Sequence, residues 1–148
     1  MYPVLFQTVL DATDARGLAE FYRELLGWQY RPGDEPPPDG SPDVNGADWV
    51  VLINPADRSR LGFQQVDTLP ASSWPANEPI PQQLHLDTTV PTKAALDQQH
   101  DRVLKLGGRV LYDRSDDPDE PLRAYADPAG HPFCIFVAPS LLSAPWPA

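Results

Sequence analysis

Residues 6–28 read FQTVLDATDARGLAEFYRELLGW, and this stretch decides the fold. The run PVLFQTVLDA (3–12) is rich in Val, Leu and Phe and reads as a strand. Asp14 suits a helix N-cap, because its carboxylate can accept from the first free backbone N–H groups. Leu18, Phe21, Tyr22, Leu25 and Leu26 then follow at i, i+3, i+4, i+7 and i+8, one apolar helix face. Gly27 ends the helix, where the backbone can turn left-handed without a Cβ penalty. A strand, a capped helix and a glycine stop therefore open the chain.

Downstream, WQYRP begins a strand that Pro32 stops, and the polar loop GDEPPPDGSPDVNG follows. ADWVVLINP and SRLGFQQV read as two strands joined by turn residues. The order is β-α-β-β-β. It then repeats. QQLHLDTTV (82–90) is a strand, and Thr92 caps a helix carrying Leu96, Val103, Leu104 and Leu106 that ends at Gly107-Gly108. RVLYDR, PLRAYA and PFCIFVA are three further strands, the last two joined by DPAGH, in which Asp127 can bond its own backbone and Gly130 takes positive φ. Gln7 lies seven residues before Asp14, and His85 lies seven before Thr92, so the two halves share one register.

The expected fold class is α+β. Two βαβββ modules form a curved eight-stranded mixed sheet, with helices on the outer face and a cleft inside. The modules span 1–66 and 82–138; a Pro-rich linker covers 67–81 and a C-terminal tail 139–148, all within one structural domain.

Composition narrows the function. Among 148 residues the net charge is −10, a field that repels nucleic acid; the bland reading of that charge is solubility, the sharper one a cationic small-molecule partner. The start of the chain has no basic run and no long apolar stretch, so neither a signal peptide nor a membrane span is expected, and the protein reads as cytoplasmic. The one cysteine, Cys134, excludes an internal disulfide and a Cys-only zinc site.

Taken together, FQTVLDATDARGLAEFYRELLGW, RLGFQQV, WPANEPIPQQLHLDTTV, LGGRVLYDR and YADPAGHPFCIF resemble the vicinal oxygen chelate superfamily of glyoxalases, bleomycin-resistance proteins and extradiol dioxygenases, in particular its glyoxalase-like members. The resemblance implies ligands for a divalent metal on the first and last strands of each module, usually His or Gln, Glu, His and Glu. Carried over by position, the set is Gln7, Gln64, His85 and Cys134, to be read as metal ligands only if a metal is bound. Neither glutamate position holds a carboxylate, so no cofactor is the expectation, with a divalent metal as the alternative.

Alternation puts His85 and Asp87 on one strand face, either as a base oriented by a carboxylate or as an ordinary polar pair. Gln7, Trp49, Gln64, His85, Cys134 and Phe136 are the candidate ligand-binding residues. Cys134 reads mainly as an apolar filler and His100 as a residue at the helix–sheet interface. His131 reads as structural, and YDRSDDPDE (112–120) as a solvated loop. Trp74, in the linker, either staples that loop down or lids a pocket.

The leading expectation is a glyoxalase-like cleft protein that binds a small organic molecule without a catalytic metal. The alternative is a glyoxalase-family lyase or isomerase using His85 and Asp87, with or without a divalent ion. A third is a surface interaction module with a vestigial cleft. Open sheet edges and the habit of the superfamily point to a homodimer.

Overall fold

The computed structural model describes residues 1–76 and 78–138, so the 139–148 tail lies outside the described residues. The chain divides into two compact units, Met1–Leu69 and a second that begins at Pro70. Each holds one four-stranded mixed sheet and one helix, so the expected eight strands occur as two sheets of four.

In the first unit β1 is Thr8–Ala12, α1 Ala15–Leu26, β2 Gln29–Tyr30, β3 Trp49–Ile53 and β4 Arg60–Gln65, in sheet order β1-β4-β3-β2. The Asp14 side chain accepts from the Gly17 N–H, and Gly27 closes the helix at φ +69°. One sheet face packs on α1. Leu10, Ala12, Val50, Leu52, Leu61 and Phe63 are buried there with Leu18 and Tyr22 of the helix, and the Tyr22 ring stacks on Phe63 at 5.9 Å. Burial of aliphatic and aromatic side chains on this scale contributes roughly 1.5–3 kcal/mol each. Arg16 ties the long loop before β3 to the helix, donating to both carboxylate oxygens of Asp43 at 2.7 and 3.0 Å.

The second unit repeats the plan. Here β5 is Leu86–Val90, α2 Lys93–Leu106, β6 Arg109–Arg114, β7 Leu122–Ala126 and β8 Pro132–Val137, in order β5-β8-β7-β6. Thr92 caps α2 through its hydroxyl and Gly107 ends it at φ +102°. Leu96 and Val103 are buried with Val90, Tyr125, Phe133 and Ile135, whereas Leu104, counted on the apolar face from sequence, is exposed. His100 does sit at the helix–sheet interface, 3.2 Å from the Tyr125 hydroxyl. Arg123, only 9% exposed, joins three elements: it donates to Asp97 on α2, Asp113 on β6 and Ser115, each at 2.9 Å.

The first strand of each unit starts four or five residues later than the sequence implies. The first begins at Thr8 rather than Pro3, because among the described residues β1 pairs with β4 alone, and β4 starts at Arg60. The fifth begins at Leu86 rather than Gln82, which leaves His85 one residue outside it. The register Leu86↔Phe133 would place Pro132 against His85, and proline has no N–H to extend the ladder.

Candidate functional site

The helix-free face of the second sheet carries Cys134 and Phe136 of β8 and Asp87 of β5, alternating with Phe133 and Ile135, which pack toward α2. Asp87 and Cys134 are register partners. His85, although outside the strand, keeps to this group: its Nε2 lies 3.4 Å from Asp87 Oδ1, with both side chains about half exposed. A cavity of about 30 Å³ opens here, lined by Trp74, Gln82, His85, Pro132 and Cys134. That volume holds one water or one small polar group of a larger molecule. Gln82 Oε1 is buried with no hydrogen-bond partner among the described residues. An unmet buried acceptor costs about 1–3 kcal/mol, so this wall favours a visiting donor.

Burial pushes the Cys134 thiol up to about 11, and the neighbouring Asp87 carboxylate adds to the effect. The sulfur is therefore a protonated S–H near neutral pH, which weakens it as nucleophile and as metal ligand alike. The linker is fastened beside the cavity. Ser73 Oγ donates to the Ile80 carbonyl at 2.8 Å, and the Trp74 N–H donates to Ser72 Oγ at 3.1 Å. Trp74 thus forms a wall of the cavity, held by its loop.

In the first unit, Gln7, Trp49 and Gln64 share the helix-free face. Trp49 and Gln64 are register partners, and the Trp49 ring crosses Gly62. A Cβ on Gly62 would lie 3.0 Å from Trp49 Cζ2, 3.3 Å from Val9 Cγ2 and 3.4 Å from Gln7 Nε2. The glycine is what lets the ring and the amide meet over the sheet. Gln7 Oε1, like Gln82 Oε1, is buried and unpartnered among the described residues.

Register also settles which positions of the two units correspond. Val9 pairs with Gly62 as Asp87 pairs with Cys134, and Asp11 pairs with Gln64 as Thr89 pairs with Phe136. Counted from the helix caps, Cys134 therefore matches Gly62, and Gln64 matches Phe136. The set Gln7, Gln64, His85 and Cys134 takes its last-strand members from two different levels. At neither level do both units offer a donor. Two neutral amides, one imidazole and a protonated thiol do not make a site for a hard divalent ion, which calls for carboxylate oxygen. Among the described residues no group of three or more His, Cys, Asp or Glu side chains is placed to hold a metal. The residues present do not fit a metal centre.

Gln82, Pro132 and Gly62 are contributors that sequence reading passed over. Gln82 had one available signal, its place three residues before His85 in the same polar run. The remaining calls have structural roles. Asp127 Oδ1 accepts from the Ala129 and His131 N–H groups at 2.9 and 3.0 Å, and its Oδ2 lies 2.8 Å from His131 Nδ1, so His131 belongs to the turn. Arg114 binds Asp117 and Glu120 within the acidic loop. No helix among the described residues is long and apolar enough to cross a membrane.

Comparison with known proteins agrees with this architecture. No curated protein matches the chain. Among solved structures, a glyoxalase/bleomycin resistance protein/dioxygenase family enzyme from Burkholderia phytofirmans PsJN is 17% identical with a TM-score of 0.64, over 91% of this chain and 98% of that one. The fosfomycin resistance protein FosX from Mesorhizobium loti is 13% identical with a TM-score of 0.64, over 96% and 98%. Lactoylglutathione lyase from Agrobacterium tumefaciens is 21% identical with a TM-score of 0.57, over 97% and 98%. At such identities these likenesses concern the fold. The model of the glyoxalase-like domain matches residues 7–136, and the chain belongs to this family.

Proposed function

We propose that this glyoxalase-like protein binds a small organic molecule on its helix-free sheet faces and does so without a catalytic metal. One observation carries the reading: the cavity beside Trp74 pairs a buried, unpartnered Gln82 Oε1 with an imidazole, a protonated thiol and an aromatic wall. A ligand would place one hydroxyl or amine in this space and lay its apolar part against Trp74 and Phe136. Missing carboxylates at Gln64 and Cys134 support binding over metal-assisted chemistry. The one cysteine and the edge strands β1, β2, β5 and β6 support a cytoplasmic homodimer as part of the same proposal.

A thermal-shift screen of aromatic alcohols, acids and amines tests this. Hits are expected to raise Tm in wild type, and those that use the cavity to lose their effect in Trp74→Ala. A screen without hits, or one in which no hit depends on Trp74 or on Trp49, would defeat the proposal.

The His85–Asp87 contact of 3.4 Å favours one second reading, a lyase or isomerase in which Asp87 orients the imidazole as base. Metal content after purification without chelators separates the two. A stoichiometric ion that disappears in His85→Ala would favour the enzyme, and metal-free protein that still binds ligand would favour the binder.

A further inference from the structure

The first unit offers different chemistry at the level that matches the second unit's cavity. Gln7, Gly62 and Arg60 hold the positions of His85, Cys134 and Pro132, since Thr8 pairs with Leu61 as Leu86 pairs with Phe133. Gln7, one residue before β1, and Arg60, the first of β4, thus stand side by side at the start of the parallel ladder, both on the helix-free face.

Arg16, Arg23 and Arg31 each pair with a carboxylate, whereas Arg58 and Arg60 have no ion pair among the described residues. Arg58 is exposed to solvent, and Arg60 is the one of the two with a buried guanidinium nitrogen. Its Nε is buried without an acceptor among the described residues. The Phe6 ring covers one side of the guanidinium at 4.4 Å and supplies no hydrogen-bond acceptor in its plane. Asp11, the acid on the same strand face, sits opposite Gln64 at the far end of the ladder. A chain of net charge −10 therefore leaves an uncompensated cation beside an amide whose Oε1 lacks a donor. The first group calls for an anion, the second for a hydroxyl or amine, and Trp49 provides a flat apolar surface across Gly62.

We propose that this face of the first unit binds an organic acid carrying a hydroxyl or amine next to its acid group and an apolar, preferably aryl, body. Arg60 takes the acid, Gln7 Oε1 accepts from the neighbouring donor, and Trp49 packs on the body. The proposal rests on the small-molecule reading above and names the ligand class for this half of the chain.

Mandelate carries all three features. Phenylacetate lacks the hydroxyl and benzyl alcohol lacks the acid. The indole N–H signals of the four tryptophans, assigned through single Trp→Phe variants, report binding by NMR. Mandelate is expected to shift the Trp49 signal saturably. Phenylacetate should bind about three- to tenfold more weakly, the worth of one hydrogen bond, and benzyl alcohol more weakly still. Arg60→Gln should erase the advantage of mandelate over benzyl alcohol, and Gln7→Leu its advantage over phenylacetate. The wild-type ranking stands even if a variant folds poorly.

Equal shifts from mandelate and benzyl alcohol would overturn the proposal, as would a Trp49 signal unmoved up to the solubility limit of mandelate. If mandelate moves Trp74 instead of Trp49, the ligand class assigned to the first unit fails while small-molecule binding stands. If no probe moves any indole and the wider thermal-shift screen is also empty, both fail.

Discussion

Gly130 links a turn to the placement of Trp74, and replacing it by alanine is the sharpest single perturbation of this fold. Its φ is +97°, in the left-handed region. An added methyl would stand 2.5 Å from Ala71 Cβ and 3.0 Å from Ala71 Cα in the linker. Holding a non-glycine residue at positive φ costs roughly 1–2 kcal/mol. Overpacking adds about 1–3 kcal/mol, and the lower end applies because Ala71 is exposed and its segment can retreat. The sum is about 2–4 kcal/mol, which for a chain of this size lowers Tm by roughly 5–12 °C. The two contributions separate in a double-mutant cycle with Ala71→Gly. That change relieves the clash but leaves the backbone strain, so the pair should recover about 1 kcal/mol beyond additivity. Because Ala71 lies three residues from Trp74, the Trp74 indole signal should also move in Gly130→Ala and return in the double variant. Thermal or urea unfolding with indole NMR reads all of this. A Tm within about 2 °C of wild type, or a cycle additive to within ~0.5 kcal/mol, would refute the reasoning.

Two further outcomes follow from the second unit. With its thiol raised to about 11, Cys134 should alkylate at pH 8 about two orders of magnitude more slowly than a free thiol of ordinary pKa. Its rate should keep climbing toward pH 11. The folded thiol holds its proton longer than the unfolded one, so its contribution to stability is lost as pH rises from about 8.5 toward 11. Cys134→Ala should remove that slope, and a rate profile with a midpoint near the free-thiol value would contradict the assignment. Arg123→Met should lower stability by about 1–3 kcal/mol in urea unfolding, since it strands three partners of which two carboxylates are half exposed and can rehydrate. Burial would raise the Asp113 carboxyl, but hydrogen bonds from Ser115 and Arg123 overcome it and hold the group down at about 2. This stabilisation is present above the unfolded carboxyl's pKa and lost as pH falls from about 4 to 2. In Arg123→Met that acid loss should shrink, and an unchanged acid slope would count against the network.

Local physics made much of this protein legible from sequence alone. Asp14 and Thr92 cap their helices because a short oxygen-bearing side chain satisfies orphan N–H groups wherever a helix starts. Gly27 and Gly107 end them because only glycine turns left-handed without penalty. Periodicity put Tyr22 and Phe63 on the core side and Gln64 on the other, while the side of Trp49 came from its pairing with Gln64. The repeat and the α+β class rest on such short-range rules.

Only the tertiary structure decided what the site contains. His85 left its strand because Pro132, 47 positions away, meets it without an N–H. Strand pairing made Gly62 the counterpart of Cys134, and Phe136 the counterpart of Gln64, a correspondence that position along the chain did not give. Trp74 reached the cavity through a linker fastened at Ser72 and Ser73, and Arg60 emerged as a cation without a counter-ion among the described residues. Caps, turns and alternation depend on neighbours within a few residues, so the sequence states them directly. Register and unmet hydrogen bonds depend on which distant strand supplies the partner, and that is settled only when the chain packs.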